Sequence, residues 1–341
     1  MHSRRTALAV GLGVMLMFAS QGAWAQYQLI NLVSNQVKGA IHDDPLIVNA
    51  WGMDRSPTSP FWVADNQSGW STLYTGTGVK QGLVVSIPTA SGANPGMATG
   101  LVYNASSTDF QAQGWPSIFL FDTLDGTISA WAPGANPNSA IVVVNNSAAK
   151  ASYTGLAITS NASSNVLFAA DNANNKVDMY DGSFNLIGSF TDTTLPSGFA
   201  PFGIRDISGL VYVTFAATSG AAGGYVDIFT EKGVMLKQLV INGKLNQPWG
   251  LAAAPANFGP LSGTLLVSNN TNEGTINAFD GINGTFIGAV KDTNGNVIRI
   301  DQLWAIDFGG GTSENGSLNQ LFFTAGPANN VAGTFGVIVP R

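Results

Sequence analysis

The chain has 341 residues, 45% of them hydrophobic and 10% charged, with 41 Gly, 15 Pro, no Cys and a formal net charge of −6. That length supports one large domain or two ordinary ones, and such sparse charge argues against coiled coils and long surface helices. The absence of Cys rules out a disulfide framework, a thiolate metal site and a Cys nucleophile, and only two His weaken most zinc and Ser–His hydrolase chemistries.

The first segment reads as a secretory signal. Arg4 and Arg5 precede an apolar run over 7–19, and Ala23-Trp24-Ala25 fits the small-x-small rule for cleavage before Gln26. The expected organisation is therefore a signal peptide over 1–25 and one domain over 26–341. Two of the 14 Lys and Arg would leave with the signal, so 12 would face 20 acidic residues. No basic cluster is present to follow a phosphate backbone, so nucleic acid is not an expected partner. The expected location is periplasmic or secreted, with no membrane insertion after cleavage and a monomeric state.

Residues 27–34 (YQLINLVS) read as a strand. His42-Asp43-Asp44-Pro45 then reads as a solvated loop, in which a lone His beside two carboxylates is a weak candidate base or metal ligand. From there the chain repeats itself about every fifty residues. The segments NAWGMD, MATGLVY, SYTGLAI, APFGIRD, QPWGLAA and QLWAIDF align on Gly52, Gly100, Gly155, Gly203, Gly250 and Ala305, at spacings of 48, 55, 48, 47 and 55. Each is followed by two more short runs rich in Val, Ile, Phe and Tyr and bounded by Gly, Asn, Asp or Pro. This is the pattern of strands joined by tight turns. Five repeats carry a fourth strand, at 82–88, 140–146, 185–192, 236–241 and 285–292.

Four-stranded units repeating in this way predict an all-β, six-bladed β-propeller with antiparallel blades. The sixth repeat ends at its third strand, and 27–34 supplies the missing one, closing the ring so that no row of backbone donors and acceptors is left open. A small residue on each inner strand permits close approach near the axis.

Two sets of positions are candidates for function. Immediately before the small residue stand Trp51, Thr99, Thr154, Phe202, Trp249 and Trp304. Trp51, Phe202, Trp249 and Trp304 would line a channel mouth with flat apolar surfaces, or wedge between blades as packing. At the end of the second strand stand Asp65 and Asn66, Asp122, Asp171 and Asn172, and Asn269 and Asn270. Such oxygens suit a divalent cation, and equally they cap turns. Arg205, Asp206 and Asp307 are further charges near inner strands. Arg205 facing the channel would hook an anion. No nucleophile elbow, metalloprotease helix motif, P-loop or dinucleotide fingerprint occurs.

A resemblance adds to this reading. Leu29-Ile30-Asn31-Leu32-Val33-Ser34-Asn35, Val48-Asn49-Ala50-Trp51-Gly52, Phe61-Trp62-Val63-Ala64-Asp65-Asn66, Asp125-Gly126-Thr127-Ile128-Ser129-Ala130-Trp131, Pro248-Trp249-Gly250-Leu251-Ala252 and Leu321-Phe322-Phe323-Thr324-Ala325-Gly326-Pro327 resemble an uncharacterised family of exported bacterial six-bladed propellers. Many of those carry a Pro-Glu-Pro C-terminal sorting signal, which has no counterpart here. More distantly, the chain is similar to NHL-repeat and gluconolactonase-type propellers. The latter hold a divalent cation on acidic and amide side chains along the channel, which by blade position implies Asp65, Asp171, Asn269 and Asp307. Their characteristic glutamate near the start has no clear counterpart.

The leading expectation is a non-enzymatic binding or scaffold module, without a cofactor, for a small-molecule, glycan, peptide or envelope-protein ligand at the channel mouth. The alternative is a lactonase-like hydrolase or lyase, dependent on Ca²⁺ or another divalent cation, with its site on the central channel.

Overall fold

The structure, a computed structural model, describes residues 26–160 and 165–341. Residues 1–25, on which the signal reading rests, lie outside the described residues. Six antiparallel sheets surround a common axis, and the inner strand of each packs against the inner strands of the next and the previous sheet until blade 6 meets blade 1. The inner strands are Ala50–Asp54, Ala98–Tyr103, Tyr153–Ser160, Phe199–Ile207, Pro248–Ala253 and Leu303–Phe308. Among the described residues no helix is long and apolar enough to cross a membrane.

Ring closure follows the expected route. Tyr27–Ser34 pairs antiparallel with Thr334–Pro340, from Tyr27 opposite Pro340 to Ser34 opposite Thr334. Three details differ from expectation. His42–Asp43, read as a loop, adds a short fifth strand parallel to Val33 and Ser34. The outer strand of blade 1 shrinks to Val85–Ser86. A small hairpin, Gln111–Ala112 with Trp115–Pro116, rises between the first two strands of blade 2.

The near-continuous apolar runs of the second and third strands have a direct cause. Each sheet is sandwiched between two others, so both faces of its pleat are covered. Phe61 and Val63 of blade 1 pack with Phe322 and Phe335 of blade 6, whereas Trp62 and Ala64 turn to Phe119 and Phe121 of blade 2. Six apolar clusters result, one at each interface between blades.

The inner strands share one irregularity, which positions the site. In each blade, two inner-strand residues oppose a single residue of the second strand, the geometry of a β-bulge. Trp51-Gly52 faces Ala64, Thr99-Gly100 faces Asp122, Thr154-Gly155 faces Ala170, Phe202-Gly203 faces Thr214, Trp249-Gly250 faces Ser268, and Trp304-Ala305 faces Thr324. Where the facing residue is polar it takes up the freed backbone. Thr324 accepts from the Ala305 N–H (3.0 Å) and donates to the Trp51 carbonyl of the next blade (2.5 Å). Ser268 links Gly250 to the Trp304 carbonyl in the same way. The small residue therefore sits within its strand, at the bulge. A Cβ at Gly203 would collide with the carbonyl of Trp249.

Candidate functional site

The bulge turns its first residue toward the axis, and four of those residues are aromatic. Trp51 and Trp304 stack with ring centroids 3.6 Å apart and planes 17° from parallel. Phe202 meets both edge-on, at 6.4 and 5.8 Å, and Trp249 meets Trp304 at 6.1 Å. The Trp249 indole N–H donates to the Thr154 carbonyl (2.8 Å) and that of Trp304 to Asn49 Oδ1 (3.0 Å). The sequence-predicted aromatics are thus brought together from blades 1, 4, 5 and 6. They face one another: Trp51, Trp249 and Trp304 are 7%, 9% and 3% exposed, so the flat surfaces expected at an open mouth are spent on a cap.

Beyond this cap lies a pocket of about 250 Å³, lined by the C-terminal halves of the inner strands: Met53–Arg55, Gly100–Tyr103, Leu156–Ile158, Ile204–Asp206, Trp249–Leu251 and Ala305–Ile306. Most of this wall is aliphatic. The position two residues after the small residue reads Asp54, Val102, Ala157, Arg205, Ala252 and Asp307 around the ring. Three blades therefore contribute charge at one level. Arg205 Nη2 lies 2.7 Å from Asp307 Oδ1, with side-chain exposures of 32% and 11%. Asp307 Oδ1 also accepts the Phe308 N–H, and Asp54 accepts from the N–H groups of Arg55 (2.8 Å) and Tyr103 (2.7 Å).

Burial, reinforced by the Asp307 charge, pushes the Asp54 carboxyl up to about 6 despite Arg205 and two amide donors. Burial opposes the Arg205 charge, but Asp307 and Asp54 outweigh it, and the guanidinium is held ionised. A carboxyl that titrates close to neutrality, beside a fixed cation in a concave site, is the combination that acid–base chemistry uses. Arg205 keeps further N–H donors for a ligand oxygen.

The other predicted residues lie elsewhere. Asp65 accepts from Thr72 Oγ1 (2.7 Å) inside blade 1, where burial raises its pKa. Asp171 accepts from the Ser152 and Asn174 amides and from Asn174 Nδ2. Asn269 bonds the Asn246 N–H, the Lys244 carbonyl and Thr275. Each is engaged within its own blade and its adjoining loops, while Asp307 reaches the pocket only through its ion pair with the lining residue Arg205. Asn66, Asn172 and Asn270 bridge to backbone carbonyls of the next blade. Asp122 receives Thr99 Oγ1 (2.7 Å) and the Gly100 N–H (2.5 Å), and burial moves it up to about 6. Asp206, by contrast, is part of the pocket lining; it accepts from the Gly209 N–H (3.4 Å), and burial raises its pKa. His42 lies on the rim strand. Its neighbour Asp44 is buried and bonded to Tyr74 and Lys80, which hold it below the usual carboxylate range against the effect of burial.

The pocket's donors do not fit a divalent cation. A guanidinium already neutralises Asp307, the Asp54 oxygens are taken by backbone amides, and among the described residues no three His, Cys, Asp or Glu side chains are arranged around an ion.

These features define a six-bladed β-propeller with a capped, charge-bearing axial pocket. Solved structures agree in fold. A streptogramin B lyase superposes with a TM-score of 0.56 at 10% identity, covering 94% of this chain and 99% of its own. A glucose dehydrogenase gives 0.58 at 10% over 91% and 98%. The calcium-binding protein regucalcin from Agrobacterium tumefaciens gives 0.52 at 14% over 86% and 92%. No protein-family model matches the chain. In sequence it is 30% identical over 342 aligned positions to the uncharacterized protein R648 of Acanthamoeba polyphaga mimivirus, covering 94% of this chain and 82% of that one. It is likewise 30% identical to the mimivirus protein L690, over 84% and 80%. The chain belongs to the same family as these mimivirus proteins.

Proposed function

We propose that the protein is an exported enzyme of the hydrolase or lyase class, acting on a small oxygen-rich molecule held in the axial pocket. The observation that carries this reading is the meeting of Asp54 and Arg205, from two blades, on one small cavity, with Asp307 of a third blade paired to Arg205 and Asp54 poised at about 6. A cavity of about 250 Å³ lies below the common range for drug-sized ligands, which selects a compact substrate. In this reading Arg205 holds a carboxylate or carbonyl oxygen, Asp307 orients Arg205, and Asp54 moves the proton. The enzymes of the same fold lend support by analogy alone. The chemistry proposed is metal-independent because of the donor set described above. Export rests on the sequence of residues 1–25, and membership of the exported bacterial family on the motifs that resemble it.

The test is a screen of small esters, lactones and hydroxy acids between pH 5 and 8 with the unaltered protein, Asp54→Asn and Arg205→Met. Loss of a general acid–base group costs roughly 10²–10⁴ in rate, so D54N should lose at least a hundredfold in kcat, and R205M should raise KM. Turnover that survives both substitutions would refute the assignment. Binding without turnover at any pH would instead favour a binding module.

A further inference from the structure

A second polar cluster lies far out on the ring, between blades 3 and 4. Asp227 stands in the third strand of blade 4 (Tyr225–Phe229), opposite Gln238 in the fourth (Met235–Ile241). Asp192 lies in the segment that joins blade 3 to blade 4. Asp227 has no solvent exposure and Asp192 has 4%.

Asp192 is partly satisfied. Its Oδ1 accepts from the Thr194 N–H and hydroxyl, both at 2.7 Å, and its Oδ2 accepts from Gln238 Nε2 at 3.2 Å. Asp227 is less well satisfied. Both of its carboxyl oxygens are buried without an amide or hydroxyl donor, and its side chain meets the Asp192 carboxyl, which together with burial pushes its pKa up to about 8. Among the described residues neither carboxylate has a Lys or Arg partner. Two carboxyls confronting one another in a buried place need either a shared proton or a cation between them, because an uncompensated buried carboxylate is strongly disfavoured.

We infer that Asp192 and Asp227 form a binding site for a hard divalent cation of the Ca²⁺ or Mg²⁺ class, pinning blade 3 to blade 4. Two carboxylates neutralise a divalent ion, and oxygen-only donors suit these metals. The side-chain amide of Gln238 completes the set by turning its oxygen inward. The two ends of a Gln amide are near-isosteric, and their assignment follows the hydrogen-bond network. Gln238 is half-buried, so water from the outer surface can fill the remaining coordination positions. This site is separate from the axial pocket, so its function would be structural.

The experiment uses the full protein after dialysis against chelator. Equilibrium dialysis with Ca²⁺, and separately with Mg²⁺, should give one ion per chain, and the melting temperature should rise by several degrees when the ion is in hundredfold excess over its Kd. Asp227→Asn and Asp192→Asn should each weaken binding at least tenfold. Above about pH 8, D227N should also melt higher than the unaltered protein when both are metal-free, since it removes the charge that Asp227 would then carry beside Asp192. The exposed-surface variant Glu273→Gln should bind as the unaltered protein does. If D227N does not fold, D192N and Gln238→Leu carry the same comparison. A protein that binds neither ion, so that only a shared proton bridges the pair, would overturn the inference. So would ion binding that D227N and D192N leave intact, or that only Asp307→Asn removes. Neither result bears on the acid–base assignment at Asp54.

Discussion

Replacing Trp304 with Ala tests the aromatic cap. Trp304 is 3% exposed, stacks on Trp51 and meets Phe202 and Trp249 edge-on. Deleting a buried indole costs about 3–5 kcal/mol through lost burial and the cavity left behind. Its N–H also satisfies Asn49 Oδ1, although the Asn49 amide keeps its bond to Asn66. Loss of one such bond adds about 1 kcal/mol. We therefore expect W304A to lose about 5 kcal/mol. That is a large share of the roughly 5–15 kcal/mol that holds a domain folded. Trp304→Phe, which keeps a ring in the stack, should lose about half as much. Urea unfolding followed by circular dichroism reads both values. A loss below about 1 kcal/mol in W304A would refute the cap, because it would mean that these rings are already solvated and form an open mouth.

Other predictions follow from the same geometry. The Asp54 pKa is raised from 3.8 to about 6, so between these values the folded state keeps a proton that the unfolded state releases. Its contribution is therefore greatest below about pH 4, falls as pH rises to about 6, and is level above. At about 1.4 kcal/mol per unit, the stability difference between the unaltered protein and D54N should change by about 1–3 kcal/mol across that window. A flat difference would contradict the pKa. Gly203→Ala should lose more than about 2 kcal/mol or fail to fold, because its methyl meets backbone at the bulge, whereas Gly281→Ala, in open space, should fold normally. Thr324→Val removes the hydroxyl that joins the blade 6 bulge to the Trp51 carbonyl and should lose about 1–2 kcal/mol in the same unfolding assay.

The ring was legible in the sequence because its repeat is imposed by packing. Every interface between blades needs the same apolar alternation and every inner strand the same small residue, so six copies stand out. The strand at 27–34 was legible for the same reason, as the edge that the sixth copy lacks. What the pattern could not show is the bulge, which is a matter of register. It converts the aromatic column into a cap and sets the charged level two residues further on. Arg205 and Asp307 were visible as charges near inner strands. Asp54 was not singled out, although it occupies the same place in the first repeat, and comparing that one column across the repeats would have found it. Asp65, Asp171 and Asn269 share a column too, but the turns after the second strands and the loops beside them need hydrogen-bonding partners there, and composition alone does not separate a loop acceptor from a ligand. The short strand at His42–Asp43 is set by pairing to Val33 and Ser34, which leaves no periodic trace in two residues.

The axial pocket is where a ligand is expected to sit. A crystal structure of the protein soaked with small carboxylates or hydroxy acids should show an acid bound between Arg205 and Asp54, beside Trp249 of the cap, and lost in R205M. Occupancy confined to the capped face or the outer rim, or an empty pocket at saturating concentration, would contradict it.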